Sequence, residues 1–488
     1  MPPHGYSSRM STPRIGPVPG APSRSAVAAW ALWDWGSAAF NAVIVTFVFA
    51  PYLTSAVAAD EASGSAALGW ATAAAGLVIA LVAPAIGTRA DTGGRHRFWL
   101  GFHTFVVIAS MAAMFFVRDT PEHLWLGLIL LAAGSVFFEF AEVSYNSILL
   151  SLSTPATVGR ISGLGWGLGY LGGLALLVLL LFTVIQPETG LFGATDENGL
   201  RYRLVALLAA AWFAVFALPV LFMGPRSATS GTKAAPGSAE GTAAQAGSAQ
   251  AETSPAPEAN PAARPARASG ASPLSYLRGF AADYRRLGRR LARMWREDHT
   301  TLRFLIASAV FRDGLAAIFA FAGILAAGSY GFSPSEVIVL GVAANLVAGL
   351  GSVGAGVLDD RLGPRIVIVV SLVCLIIGAI PILLSDSPVV FWAAAMFLCI
   401  FVGPVLASSR SYLARITPPE HAGENFGLYA TTGRAVSFLG PACFSLAVML
   451  LGFQRAGALG IALVLAVGLV LFLGIRAPAG ADPRIRAT

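Results

Sequence analysis

Long apolar stretches, each bounded by short polar or basic segments, recur along most of the chain. A helix needs about 20 residues to cross the ~30 Å hydrocarbon core of a bilayer. Twelve stretches reach that length: 26–53, 67–88, 98–117, 124–150, 161–185, 203–223, 302–328, 335–358, 366–384, 388–409, 426–451 and 456–475. Several exceed a straight crossing, which predicts tilt or protruding ends. Glycine is frequent within them and lets helices approach closely in lipid. The pattern predicts an all-α integral membrane protein with 12 transmembrane helices.

The polar gaps set the topology. With the N-terminus inside, fourteen arginines from Arg9 to Arg486 fall in or beside short cytoplasmic segments, against four (Arg118, Arg201, Arg203 and Arg455) outside. Basic residues are retained on the cytoplasmic side, so both termini are expected there. No apolar signal segment precedes the first run, which is therefore expected to stay in the mature protein. The predicted organisation is a disordered N-terminus (1–25), a six-helix bundle (26–224), a disordered cytoplasmic linker (225–273), an amphipathic basic helix (274–300), a second six-helix bundle (301–475) and a cytoplasmic tail (476–488). In the basic helix, Leu274, Leu277, Phe280, Tyr284, Leu287, Leu291 and Trp295 recur at helical spacing among arginines. That face suits the membrane surface, with anionic lipid headgroups as partners; the alternative is a solvated linker helix.

Composition narrows the class. Of 488 residues 56% are hydrophobic and 12% charged, against about 25% charged in soluble domains. A mean hydropathy of +0.71 excludes an ordinary soluble enzyme. The basic pI near 9.7 comes from residues scattered between apolar runs, not gathered into a nucleic-acid groove. Cys374, Cys399 and Cys443 all lie in apolar runs and offer neither a disulfide framework nor metal-ligand spacing. Without Walker A, GxSxG or HExxH strings, nothing points to an enzyme, a cofactor, a metal or an ATP-driven pump. Arginine so far outnumbers the single lysine, Lys233, that a high-GC bacterium and its cytoplasmic membrane are the expected setting.

The two halves repeat. Gly87, Asp91, Gly94 and Arg95 follow span 2, and Gly356, Asp360, Arg361, Gly363 and Arg365 follow span 8 at an offset near 269. Gly159 and Tyr170-Leu171-Gly172 match Gly427 and Phe438-Leu439-Gly440 at 268; Tyr145 matches Tyr412 at 267, and Asp34 matches Asp313 at 279. Two repeated six-helix halves joined by a linker form the architecture of a major facilitator transporter, whose central cavity opens alternately to each side. A monomer is expected.

Finer strings carry a narrower resemblance. They are Trp33-Asp34-Trp35 with Ser37 and Phe40, Tyr145-Asn146, the run from Gly159 through Ser162, Gly163, Gly165 and Gly169 to Gly173, and Arg312-Asp313-Gly314. Gly403-Pro404, Ser409-Arg410-Ser411, Asn425-Phe426-Gly427 with Tyr429, and Gly440-Pro441 complete them. Together these resemble the "unknown major facilitator" family, which includes the autophagy-linked vacuolar amino-acid effluxer of yeast. The chain departs from the family pattern at Ser37, Leu150 and Leu406, where Asn, Pro and Gln are usual. The resemblance implies export of neutral or aromatic amino acids for the fungal members. It also implies a cytoplasmic gate, with Gly87, Asp91, Arg95, Gly356, Asp360, Arg361 and Arg365 as its parts. In that gate Asp91 faces the start of span 11, Asp360 faces the start of span 5, and the arginines bridge the halves. A carboxylate is favoured at a helix N-terminus by the dipole there. The other reading of the basic loop residues is a topology signal alone.

Ionisable groups at mid-membrane are costly and are functional candidates by default. Asp34 and Asn41 share a face of span 1; Glu139, Glu142 and Asn146 share a face of span 4. Arg312 and Asp313 lie in span 7, and Arg434 in span 11 is a candidate carboxylate anchor. Asp34 can instead pair with Arg434 and simply join spans 1 and 11. Trp166, Tyr170 and Tyr429 are further candidates, and so is Arg410, which lies near the inner surface and can equally be a topology anchor. Four acids against the two embedded bases Arg312 and Arg434 leave acid in excess, which suits proton coupling. The expected activity is secondary active transport of a small polar solute, an amino acid first, by proton-coupled efflux. An exporter of drug-like or amphiphilic cations and a non-transporting membrane scaffold or lipid sensor are the alternatives.

Overall fold

The structure, a computed structural model, describes residues 23–223 and 299–475 and six positions between 288 and 296. Residues 1–22, the linker, the tail and most of the basic helix expected at 274–300 lie outside the described residues.

Twelve apolar helices are long enough to cross a membrane. They are α1 (Arg24–Val57), α2 (Glu61–Thr92), α3 (His96–Phe116), α4 (Pro121–Leu152), α5 (Val158–Ile185), α6 (Glu197–Phe222), α7 (His299–Tyr330), α8 (Glu336–Leu362), α9 (Pro364–Leu384), α10 (Pro388–Ile416), α11 (Pro419–Leu451) and α12 (Gln454–Leu473). Local chemistry sets several ends. The Asp60 carboxylate accepts the Ser63 N–H at the start of α2. Ser333 and Glu336 form a reciprocal capping box at the start of α8. Gly94 ends α2 in the left-handed region at φ 57°, open to glycine without a Cβ penalty. Large apolar side chains such as Trp70, Phe222 and Val389 stand exposed on the outer surface, where lipid replaces water.

Each half packs on the same plan. α1 lies against α5 and α6, and α7 lies against α12 and α11. The halves meet along two crossings related by the repeat, α2 on α11 and α5 on α8. Glycine makes both crossings possible. A Cβ on Gly87 would overlap the Gly423 carbonyl, and one on Gly163 would sit 2.9 Å from Gly356 Cα. The repeat also shows inside the halves: Gly172 lies on the Trp35 backbone, and its mate Gly440 lies on Asp313.

Two helices depart from the simple pattern. α1 is wound into wider turns over Phe40–Phe47 and again over Leu53–Val57, with a bend at Val48. Wide turns of this kind recur at functional sites. α11 is not one rod: helices Ala422–Ala435 and Leu439–Leu451 are separated by a non-helical stretch. Pro441 has no N–H to give the Ser437 carbonyl, so the second piece restarts with proline in its first turn.

Candidate functional site

At the end of the bundle carrying the repeated loop motif the halves are bonded together. The Asp91 carboxylate accepts the Gly423 N–H at 2.7 Å and the Glu424 N–H at 2.8 Å, at the start of α11. The Asp360 carboxylate accepts the Gly159 N–H at 2.8 Å and the Arg160 N–H at 3.2 Å, at the start of α5. Each acid thus answers two orphan donors and the dipole of a helix in the opposite half. The arginines of the motif do not bridge the halves. Arg95 stacks over Phe98 beside it. Arg365 donates to the Ile475 and Leu473 carbonyls at the end of α12, and Arg361 is exposed. Arg95 and Arg365 are thus engaged within their own halves. The cations that cross here are Arg160 of α5, 3.5 Å from Asp360, and Arg415 of α10, which donates to the Pro155 carbonyl while pairing with Asp359 and Asp360 of its own half. Asp359 is buried and also accepts from the Ser411 hydroxyl at 2.5 Å.

Above this closed end a cavity of about 660 Å³ lies between the halves, within the range of small-molecule sites. It runs from Arg410 to Thr46, Phe47, Ile324 and Val337 near the opposite end. Asp34, Asn41, Glu139, Glu142, Asn146, Trp166, Tyr170, Arg312, Arg410 and Tyr429 all line it. A side pocket of about 260 Å³ shares Glu139, Tyr170 and Arg312 and adds Asp313 and Arg434. Two of the three positions where the family pattern is broken fall here too: Ser37 lines the cavity and Leu406 the side pocket.

The floor is built around Arg410, which is 4% exposed. Its guanidinium donates to the Ser162 hydroxyl (2.9 Å) and carbonyl (2.6 Å), to the Asn146 side-chain oxygen (3.3 Å) and to Asp34 Oδ2 (3.5 Å). It also lies near the rings of Trp30, Tyr145 and Trp166. The Tyr145 hydroxyl donates to the same Asp34 oxygen at 2.9 Å. The Tyr145 ring is stacked between Trp30 and Trp33, each 4.3 Å away. Stacked pairs of this kind contribute roughly 0.5–1.5 kcal/mol each beyond their burial. One arginine from α10 thereby binds α1, α4 and α5 of the other half.

This disposes of two alternatives and corrects one expectation. The partner of Asp34 is Arg410, not Arg434. Arg434 pairs with Glu139 instead, across the halves. Arg410 is no surface anchor, because its long side chain reaches inward to the cavity floor. Asp313 does not repeat the part of Asp34: its Oδ2 accepts the Gly440 N–H at 2.5 Å and caps the second piece of α11. With Arg410 counted, the cavity region holds three bases to four acids, and Asp313 is committed to a helix end. The acid excess read from the sequence is largely removed. Sequence reasoning missed Ser162, Asp359 and Arg415 as bonded groups and gave Tyr145 no bonding role. The Ser162 position inside its glycine-rich string was the one available signal.

The sequence profile described as "Vacuole effluxer Atg22 like" matches residues 151–482. The chain belongs to this Atg22-like family. Among relatives, the MFS-type transporter YxiO of Bacillus subtilis is 24% identical over 451 residues, covering 91% of this chain and 92% of its own. Autophagy-related protein 22 of Cryptococcus neoformans is 26% identical over 329 residues, 64% of this chain and 51% of its own. The chain thus matches about half the length of that fungal relative. Among solved structures, the human organic anion transporter MFSD10 superposes with a TM-score of 0.65 at 14% identity, over 92% of this chain and 99% of its own. The transporter FucP in its outward conformation gives 0.64 at 13%, over 93% and 99%. These share the major facilitator fold. This Atg22-like chain is therefore a multi-pass major facilitator transporter, not an enzyme, and its substrate is a small molecule.

Proposed function

We propose that this transporter carries a small zwitterionic solute, an amino acid, out of the cytoplasm by alternating access coupled to protons. The observation that carries this reading is one cavity between the halves where acids and arginines face the same space. A zwitterion can meet both signs there without leaving either uncompensated. The motif end is the cytoplasmic end, and the bacterial cytoplasmic membrane is the setting. Asp91 and Asp360, with Arg415, act as the inner gate: their bonds to α11 and α5 hold while the inside is closed and part when it opens. Asp34 is the coupling acid. Tyr145 and Arg410 bond its Oδ2, so its charge bears on the contact of α10 with α1 at the cavity floor.

The experiment is counterflow and pH-gradient-driven transport in proteoliposomes, first with the twenty amino acids. Wild-type protein should exchange at least one of them. Asp34→Asn should retain exchange yet lose acceleration by a pH gradient. Equal acceleration in both proteins rules out Asp34 as the coupling acid. Export of amphiphilic cations is less well supported once Arg410 offsets the acids, and competition by such cations for the same exchange would favour it. Full transport after deletion of 226–298 removes the scaffold reading.

A further inference from the structure

Three arginines and four acids border the cavity and its side pocket, and most are already taken. Asp34 is held by Arg410 and Tyr145. Glu139 is held by Arg434. Asp313 caps the second piece of α11. That subtraction leaves one group of each sign. Among the described residues Glu142 makes no hydrogen bond or ion pair, although it lines the cavity. Among the described residues Arg312 bonds no carboxylate either: one of its five N–H groups goes to the Tyr429 carbonyl at 3.1 Å. Its guanidinium carbon lies over the Tyr429 ring, 3.7 Å from the centroid. The ring and the Tyr429 carbonyl hold the guanidinium in place and leave its remaining N–H groups for the cavity. Arg312 and Glu142 come from different halves, on α7 and α4, and are within electrostatic range of each other.

We infer that Arg312 and Glu142 are the two poles that read the solute, Arg312 taking its carboxylate and Glu142 its ammonium. The inference rests on the zwitterion reading above and assigns it to residues. The pairs Asp34–Arg410 and Glu139–Arg434 then serve a different purpose: they join the halves and do not meet the solute. Arg434, the anchor expected from the sequence, loses that role to Arg312. Because the free poles sit on opposite halves, a bound zwitterion draws α4 and α7 together and links occupancy to the tilt of the halves. Tyr429 is a positioning residue, since it acts through Arg312.

The test is thermal unfolding of the full-length purified protein with each of the twenty amino acids, because a ligand of the native state raises apparent stability. The most stabilising amino acid is then compared with its N-acetyl and amide derivatives. Wild type should bind each derivative at least about tenfold more weakly, the scale of one lost charge-assisted bond. Arg312→Gln should bind the amide as well as the free acid, and Glu142→Gln should bind the N-acetyl form as well as the free amine. Tyr429→Phe keeps the ring and should leave both preferences intact, whereas Tyr429→Leu should weaken the preference for the carboxylate. Arg312→Gln breaks no ion pair of the resting protein, so its unfolding temperature without ligand should stay near wild type. If Arg312→Gln still discriminates acid from amide tenfold, or Arg434→Gln is the variant that loses discrimination, the assignment is overturned while the transport reading stands. If no amino acid stabilises wild type, both fall together.

Discussion

The closed end offers a prediction that can be worked through. Asp91 accepts two backbone N–H bonds from the start of α11 and lies 3.3 Å from His96 Nε2. Asp91→Ala removes that carboxylate. A partly buried carboxylate at a helix N-terminus contributes up to about 2 kcal/mol. In the opened state the same group faces water, so most of that energy favours closure. Losing it should shift the closed-to-open ratio about 30-fold. Hydrogen exchange reads the shift at a place Asp91 does not touch. The Gly159 and Arg160 N–H groups are held by Asp360 on the other crossing of the interface. If the end opens as one unit, Asp91→Ala should raise exchange at residues 159 and 160 about 30-fold along with that at 423 and 424. Faster exchange confined to 423 and 424, with less than about a twofold change at 159 and 160, would refute the coupled gate.

Further outcomes follow from single contacts. Arg410→Gln leaves Asp34 as a buried carboxylate without its cation and should cost about 3–5 kcal/mol of stability; Asp34→Asn added to it should restore part of the lost unfolding temperature, and no recovery would mean the two are not a pair. Asp313→Ala orphans the Gly440 N–H at a cost of about 1–3 kcal/mol, so the unfolding temperature should fall while the acid-over-amide preference is kept. Gly87→Val puts side-chain atoms into the Gly423 carbonyl, so the motif end cannot close; cysteine-labelling of the cavity from the cytoplasmic side should become permanent, and unchanged labelling would contradict the tight crossing.

The twelve helices and their two-fold repeat were legible because lipid imposes a long apolar run on every crossing, and the glycine spacings record where helices touch. The candidate residues Asp34, Asn41, Glu139, Glu142 and Asn146 were legible for the same reason, since a polar side chain within such a run stands out and helical spacing aligns it with its neighbours. Pairing was not legible. Asp34 and Arg410 lie 376 positions apart, and nothing local distinguishes Arg410 from Arg434 as the partner. Distance from the helix end misled, because Arg410 is only six residues from the end of α10, yet its side chain spans the rest. The loop arginines misled in another way. Arg95 and Arg365 share the spacing of Asp91 and Asp360, but a flexible cation can satisfy itself on a nearby ring or carbonyl, whereas a short carboxylate must meet the helix end it faces. The break in α11 had a local sign in Gly440-Pro441, outweighed by the apolar residues on either side.

That break has a mechanical consequence. α5 and α11 hold equivalent places in the repeat, yet α5 is unbroken over Val158–Leu180 while α11 is jointed between Ala435 and Leu439. A whole rod transmits torque along its length, and a jointed one does not. As the bundles tilt, α5 has to swing as a lever, but the near segment of α11 can follow α2 while the far segment stays moored to α7 through Asp313. The two bundles then lose their likeness during the cycle, and the departure begins at residues 439–451.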